Sequence, residues 1–173
     1  MINAPFDVAL QIGEGKETEI AFLFWQDGFI VFPGCKNHRY DFGIYKNHID
    51  LIEIKDEDNY SDSGNICIEV YQGKSVRKPS GIEVSESTVS VHTLNDKVVF
   101  YKTQKMRLWL RRYRVKKCKG GHKGIYTLRD FEKADNGNGG YIIPIKHVTN
   151  CYWFCHCEKE KMPSHKMFSK VFL

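Results

Sequence analysis

The chain has 173 residues and a mass of 20.2 kDa, which suits one domain with a buried core and is short for two. Its 42% hydrophobic and 27% charged residues are typical of a soluble globular protein and exclude an intrinsically disordered chain. The net charge of +5 and the pI near 8.8 allow a polyanionic partner without demonstrating one. No apolar run reaches the ~20 residues that span a bilayer, and no secretory signal opens the chain. We therefore expect a cytoplasmic protein without membrane contact.

The first predicted elements are a helix and a strand. Apolar side chains recur with helical spacing over residues 16–27, and Gly28 follows at a position where helices commonly end. Residues 29–32 then form an apolar run that predicts a strand.

Later segments continue this mixture of helix and strand. We predict strands at 65–70 and 141–145, a hairpin of 89–94 with 97–102, a helix at 103–114 and a packed strand within 151–157. Such an order of elements predicts an α/β fold, a single domain with a mixed central sheet flanked by helices. Residues 1–148 make up this domain, and residues 149–173 are a cysteine-rich C-terminal extension packed on it.

Two short strand-like runs, 40–44 and 49–55, carry two carboxylates and a lysine. Glu53 and Lys55 alternate with isoleucines, so the acid and the amine leave the same face of a strand. A turn at residues 46–47 makes a hairpin that brings Asp41 alongside Glu53. Close carboxylates repel each other unless a cation joins them, and their oxygens suit Mg²⁺ or Mn²⁺. Lys55 adds a point charge for a phosphate oxygen or a water. The plain alternative is an exposed strand face with a solvated Glu and Lys.

Two basic segments are candidate contacts for a polyanion. One is the loop just before Asp41, and the other is the predicted helix 103–114, in which an apolar body carries a dense basic run. The alternatives are a solvated loop and a helix with basic residues placed favourably near its carboxyl end. The candidate DNA-binding residues are Lys36, His38, Arg39, Lys105, Arg107, Arg111, Arg112 and Arg114.

Six cysteines lie at positions 35, 67, 118, 151, 155 and 157. Without a secretory signal we interpret them as thiols or metal ligands and not as disulfides. Cys151, Cys155 and Cys157, with His165 beyond, supply soft ligands for a structural Zn²⁺, and Cys118 with His122 add two more. The paired two-residue spacings of zinc sites are missing, so buried cysteines in a terminal strand are the favoured interpretation.

The pattern of Asp41, eleven intervening residues and Glu53-x-Lys55 resembles the active-site signature of the PD-(D/E)XK nuclease superfamily, with Tyr40 in place of the proline. A helical glutamate, Gly28, an apolar strand and then these residues are similar to the archaeal Holliday junction resolvases. Three further motifs, GN-x-x-IE from residue 64, PSGI from residue 79 and VH from residue 91, are similar to phage-encoded proteins of the same superfamily. The resemblance covers about residues 14–148.

The resemblance implies a restriction-endonuclease-like fold and a metal-dependent endonuclease acting on branched or Holliday junction DNA as a two-fold homodimer. The implied metal ligands are Asp41, Glu53, the backbone carbonyl of Ile54, and Glu17, with Glu19 and then Glu14 as alternatives to Glu17. Lys55 completes the catalytic set, and Glu69 and Ser80 are supporting residues near the metal. The competing hypotheses are a catalytically inactive nucleic-acid-binding or structural module with this fold and an RNA endonuclease on the same scaffold.

Overall fold

The computed structural model describes residues 15–35, 38–56, 64–73, 76–94, 97–114, 129–130, 139–149, 151 and 154–158. This part of the chain contains two α-helices and ten strands in a mixed α/β arrangement. In chain order they are α1 (Lys16–Gln26), β1 (Ile30–Pro33), β2 (Phe42–Tyr45), β3 (Ile49–Asp56), β4 (Asn65–Gln72), β5 (Lys78–Pro79), β6 (Val89–Thr93), β7 (Lys97–Lys102), α2 (Thr103–Arg114), β8 (Arg129–Asp130), β9 (Gly139–Pro144) and β10 (Phe154–Glu158).

The predicted first helix is confirmed, and its end has an identifiable cause. Gly28 has a φ of 83°, a conformation that costs little only for glycine. Its amide donates to the carbonyl of Trp25 at 3.0 Å, and the amide of Phe29 donates to the carbonyl of Phe24 at 3.1 Å. The two phenylalanine rings meet edge to face with centroids 5.4 Å apart. Together these contacts form a Schellman cap that turns the chain from α1 into β1.

The larger sheet has six strands in the order β1-β2-β3-β6-β7-β10. It is mixed, because β3 pairs with β6 in parallel whereas its other neighbouring pairs are antiparallel. Both predicted hairpins, β2 with β3 and β6 with β7, are confirmed. The predicted terminal strand is present as β10 at the edge of this sheet, beside β7.

One face of the larger sheet packs against α1. Ile52 and Ile54 on β3 are buried there with Ile20 and Phe24 of the helix. The alternation along β3 therefore directs Glu53 and Lys55 to the opposite face, as the sequence predicts. At about 25 cal/mol per Å² of apolar surface removed from water, this layer is a principal source of fold stability and holds β3 in a fixed register.

A second sheet, with the strand order β5-β4-β9-β8, lies on the side of the larger sheet opposite α1. The sequence-based expectation of one central sheet was wrong in this respect: the predicted strands near 65–70 and 141–145 do form, but they pair with each other. The paired residues are 68 to 79 positions apart, from Tyr71 with Gly139 to Asn65 with Pro144, and local periodicity carries no information on such pairing. A second core buries Ile68, Ile143 and Tyr101 together with Met106 and Leu110 of α2.

Within the part of the chain that the structure describes, neither helix has the length and apolar character needed to cross a membrane.

Candidate active site

Asp41 and the strand β3 are joined directly. The register of Phe42 opposite Ile52 places Asp41 beside Glu53, which confirms the hairpin prediction for these two carboxylates. The amide of Asp41 donates to the carbonyl of Ile52 at 2.8 Å, and its Oδ2 accepts a 2.6 Å hydrogen bond from the amide of Ile54. The carboxyl group is therefore held at one position along β3.

Lys55 lies among carboxylates on the face of the sheet away from α1. Its ammonium is 2.7 Å from Oε1 of Glu53, with the lysine side chain 46% exposed and the glutamate side chain 12% exposed. Burial acts to lower the pKa of Lys55, but the charge and hydrogen bond of Glu53 and the charges of Asp41 and Glu69 outweigh it and raise the pKa. Lys55 is therefore a persistent cation at ordinary pH.

Asp41 and Glu17, which lie outside this ion pair, both have raised pKa values. Burial raises the pKa of Asp41, and the charge of Glu53 raises it further, whereas the Ile54 amide and Lys55 act in the opposite direction. Burial also raises the pKa of Glu17, followed by the charge of Asp41, and Lys55 partly offsets both. Ionisation of these groups is thus costly in the protein without an added cation.

The structure distinguishes among the glutamates at the start of α1. Glu17 is half-buried and lies within electrostatic reach of Asp41 and Lys55. Glu19 is exposed and contacts Lys16 at 3.5 Å. Glu14 lies outside the described residues. Of the two glutamates that the structure describes, Glu17 is the one that lies near the other candidate residues.

Glu69 approaches the same place from the second sheet. Its Oε1 accepts a 2.5 Å hydrogen bond from Oγ of Ser80, which is 9% exposed. The charge of Glu69 acts on Lys55 across the space between the sheets. Glu69 and Ser80 therefore border the candidate site, as the sequence motif predicts.

A narrow cleft extends from Glu53 and Lys55 between the two sheets. It measures about 250 Å³ with its open mouth, of which only about 10 Å³ admits the centre of a water molecule. That space holds about one water and is far too small for a nucleotide base. The residues around the cleft are Glu53, Lys55, Cys67, Ile68, Glu69, Gly81, Ile82, Ser90, His92 and Tyr101.

His92 and Tyr101 lie inside this cleft; the VH motif of the sequence includes His92, but neither residue was predicted as part of the site. They are only 1% and 2% exposed, and Nε2 of His92 is 2.7 Å from the hydroxyl oxygen of Tyr101. In the parallel register of β3 and β6, His92 lies beside Lys55 and Ser90 beside Glu53. The signal in the sequence was the alternation of Ser90 and His92 with valines, which marks a polar face on a buried strand.

Whether these groups fit a divalent cation is decided by charge and by arrangement. Four carboxylates interact with the positive charge of Lys55. Burial is the main cause of the raised pKa values of Asp41 and Glu17, and a bound cation would favour their ionised forms. Among the described residues, no group of three or more His, Cys, Asp or Glu side chains is already arranged to hold a metal ion. A bound cation would share the carboxylate of Glu53 with Lys55, because an ionised carboxylate accepts more than one partner.

The six candidate DNA-binding residues whose side chains the structure describes divide into three groups. Arg107 is turned inward: its Nε and one terminal nitrogen donate to the carbonyls of Ile82 and Ser85, which leaves these donors unavailable to DNA. Arg111 contacts Glu83 at 3.1 Å and His38 contacts Glu86 at 2.7 Å, while both remain more than half exposed. Arg39, Lys105 and Arg112 are exposed. Lys36 and the side chain of Arg114 lie outside the described residues.

Most of the candidate zinc ligands also lie outside the described side chains. Cys151 is half-buried with a free thiol, and burial raises its pKa, which favours the neutral thiol over the thiolate that binds metal.

Comparison of the chain with protein-family models, with curated proteins and with solved structures gave no match.

Proposed function

We propose that this protein is a Mg²⁺- or Mn²⁺-dependent endonuclease that hydrolyses DNA phosphodiester bonds, with a site of the PD-(D/E)XK type. One observation carries the proposal. Asp41, Glu53, Lys55 and Glu17, which the sequence resemblance selects, meet at one end of β3 and act on one another electrostatically. The helix α1 followed by a hairpin that delivers Asp41 and Glu-x-Lys supports a restriction-endonuclease-like arrangement around this site.

In the proposed reaction Asp41, Glu53, Glu17 and the backbone carbonyl of Ile54 would hold the divalent cation. The chemistry supplied there would be activation of a water and neutralisation of charge on the phosphate. Lys55 orients the attacking water or stabilises the charge that develops on the phosphoryl oxygens. Glu69, fixed by Ser80, holds Lys55 in position electrostatically. By the resemblance, cleavage leaves a 5′-phosphate and a 3′-hydroxyl.

The proposed substrate is branched or Holliday junction DNA in the cytoplasm, the host cytoplasm if the chain is phage-encoded. Cutting both strands at a junction with one site per chain requires two copies, so the proposed active form is a two-fold homodimer. Light scattering at tens of micromolar checks this assembly. A monomer whose only activity is single-strand nicking would contradict both the dimer and the junction substrate.

A non-cutting nucleic-acid-binding module is the second candidate. The observation that favours it is the 2.7 Å pair of Glu53 and Lys55, which occupies one of the carboxylate oxygens that would bind metal. An RNA endonuclease would use the same residues and differ only in substrate.

One set of assays separates these functions. Linear duplex, four-way junction, single-stranded DNA and RNA are incubated with the protein in Mg²⁺, in Mn²⁺ and in EDTA. We expect metal-dependent cleavage that is fastest on the junction and absent from the Glu53→Gln variant, which keeps the size of the side chain. Binding of DNA with no cleavage under every condition would support the non-cutting module, and cleavage of RNA alone would support the RNA endonuclease.

A further inference from the structure

Residues 80–86, which we name the anchor segment, connect β5 with β6 and begin against Glu69. The amide of Ser80 donates to the carbonyl of Val70 at 3.0 Å, and its hydroxyl donates to the carboxylate of Glu69 at 2.5 Å. Gly81 has a φ of +50° and lies so close that a Cβ at this position would be 2.4 Å from the carbonyl oxygen of Glu69. The position of the Glu69 side chain therefore depends on the backbone of the anchor segment.

The other end of the anchor segment contacts the chain that leads into Asp41. The carbonyl of Arg39 accepts hydrogen bonds from the amide of Glu86 at 3.1 Å and from the hydroxyl of Ser85 at 3.4 Å. The carboxylate of Glu86 also contacts Nδ1 of His38 at 2.7 Å. Only one residue separates Arg39 from Asp41, so a shift of the anchor segment changes the backbone direction at Asp41.

Arg107 on α2 holds the middle of this segment. Its Nε donates to the carbonyl of Ile82 and a terminal nitrogen donates to the carbonyl of Ser85. The other terminal nitrogen is 3.3 Å from Oε1 of Gln104 one turn earlier on the helix. A planar guanidinium has several donors in a fixed geometry and satisfies both carbonyls at once, whereas the single ammonium of lysine does not reproduce this fork.

We infer that Arg107 is a positioning residue for the carboxylates of the proposed active site. It contacts neither Asp41 nor Glu69 and acts on both through the anchor segment, on Glu69 by way of Ser80 and on Asp41 by way of Arg39. The catalytic consequence rests on the proposed function. The coupling of Arg107 to the position of Asp41 is a property of the folded protein and can be measured without any activity.

The test compares Arg107→Lys with the wild type and with Arg77→Lys. Arg77 is a matched control, since it is exposed and its guanidinium lies over the ring of Tyr71 at 4.5 Å. The reporter is the amide of Ile54, which donates to Oδ2 of Asp41. Its hydrogen exchange and its chemical shift during a pH titration are followed by NMR without divalent cations. We expect several-fold faster exchange and a changed titration midpoint in Arg107→Lys, with neither change in Arg77→Lys.

Cleavage kinetics provide the second measurement. Arg107→Lys should lower kcat about tenfold and weaken Mn²⁺ binding, with the KM for DNA unchanged, because the substrate-facing side chains of α2 remain.

An unaltered Ile54 amide in a folded Arg107→Lys protein would overturn the inference. If that variant does not fold, Gln104→Ala, which removes only the acceptor beside Arg107, should give a smaller change in the same direction, and no change would likewise overturn it. A wild type that neither binds Mn²⁺ nor cuts DNA would refute the proposed function, while the Ile54 amide still decides the coupling.

Discussion

The amide of Ile54 donates a 2.6 Å hydrogen bond to Oδ2 of Asp41, so the backbone between Glu53 and Lys55 fixes the first carboxylate of the site. Asp41 is also half-buried, which makes its ionised form costly. The protein thus holds a carboxyl group in place at the expense of stability. Such a trade between stability and function is common at active sites.

The first prediction concerns stability and pH without divalent cations. The pKa values of Asp41 and Glu17 are raised in the folded protein. In the interval between the ordinary and the raised pKa the folded state binds more protons than the unfolded chain, so stability falls as the pH rises through it. Asp41→Asn, which keeps an acceptor for the Ile54 amide, should therefore be more stable than wild type at pH 7, by on the order of 1 kcal/mol.

Urea unfolding at a series of pH values checks this prediction. The stability advantage of Asp41→Asn should disappear at acid pH. The carboxyl group of Asp41 in the wild type is then protonated, so the side chain at this position is neutral in both proteins. Glu19→Gln, an exposed carboxylate of the same region, is the control and should change stability little at any pH. An Asp41→Asn protein that is less stable than wild type at pH 7 would contradict the conclusion that burial is the main cause of the raised pKa of Asp41.

The second prediction separates the glutamates at the start of α1. Glu17 is within electrostatic reach of Asp41, whereas Glu19 is exposed and contacts Lys16. We expect Glu17→Gln to lower kcat for DNA cleavage by roughly 10²-fold, because the variant lacks one proposed ligand of the cation that stabilises charge in the transition state. Glu19→Gln should stay within about twofold of wild type. Equal losses in the two variants would remove Glu17 from the site.

The hydrophobic alternation around Glu53 and Lys55 was sufficient to predict β3 and the face that carries the site. The apolar spacing likewise predicted the helix α1, and Gly28 predicted where this helix ends. These features depend on local periodicity and on a single glycine conformation, which are visible in a short window of sequence.

The role of Arg107 could not be predicted in this way. On the sequence it is one of several basic residues on α2, and its inward turn depends on where the carbonyls of Ile82 and Ser85 lie in three dimensions. The same limit applies to the surroundings of His92: its partner Tyr101 lies in the predicted hairpin, but the second sheet that faces the pair comes from distant pairing. Long-range pairing is set by the whole chain and not by a local pattern.

The third prediction concerns Lys55 as a competitor of the metal. Its ammonium is 2.7 Å from Glu53 and nearly half exposed, and an exposed ion pair of this kind contributes at most about 1 kcal/mol. Lys55→Met removes a positive charge from the carboxylate cluster. We expect Mn²⁺ to bind this variant several-fold more tightly than wild type, by calorimetry, while cleavage falls by roughly 10²-fold or more. Weaker Mn²⁺ binding in a folded Lys55→Met protein would show that the carboxylates are not the metal ligands.

The last prediction concerns the outward basic side chains of α2. Lys105 and Arg112 are exposed, and Arg111 is 58% exposed despite its contact with Glu83. If these residues lie against phosphates, each lost contact should lower the slope of log affinity against log salt by about 0.9 for duplex DNA, similarly for all sequences. Arg111→Gln with Arg112→Gln should therefore weaken binding clearly at moderate salt and flatten the slope by up to about two units.

The matched control for this pair is Lys146→Gln, a change of an exposed lysine that is not among the proposed DNA-binding residues. Thermal stability of the double variant should change little, because exposed charges contribute at most about 1 kcal/mol each. Fluorescence anisotropy with labelled duplex and junction DNA at several salt concentrations measures both affinity and slope. An unaltered slope would return α2 to a purely structural role, since a phosphate contact cannot be lost without a change in counterion release. The loop with His38 and Arg39 before Asp41 would then be the main candidate for holding the substrate.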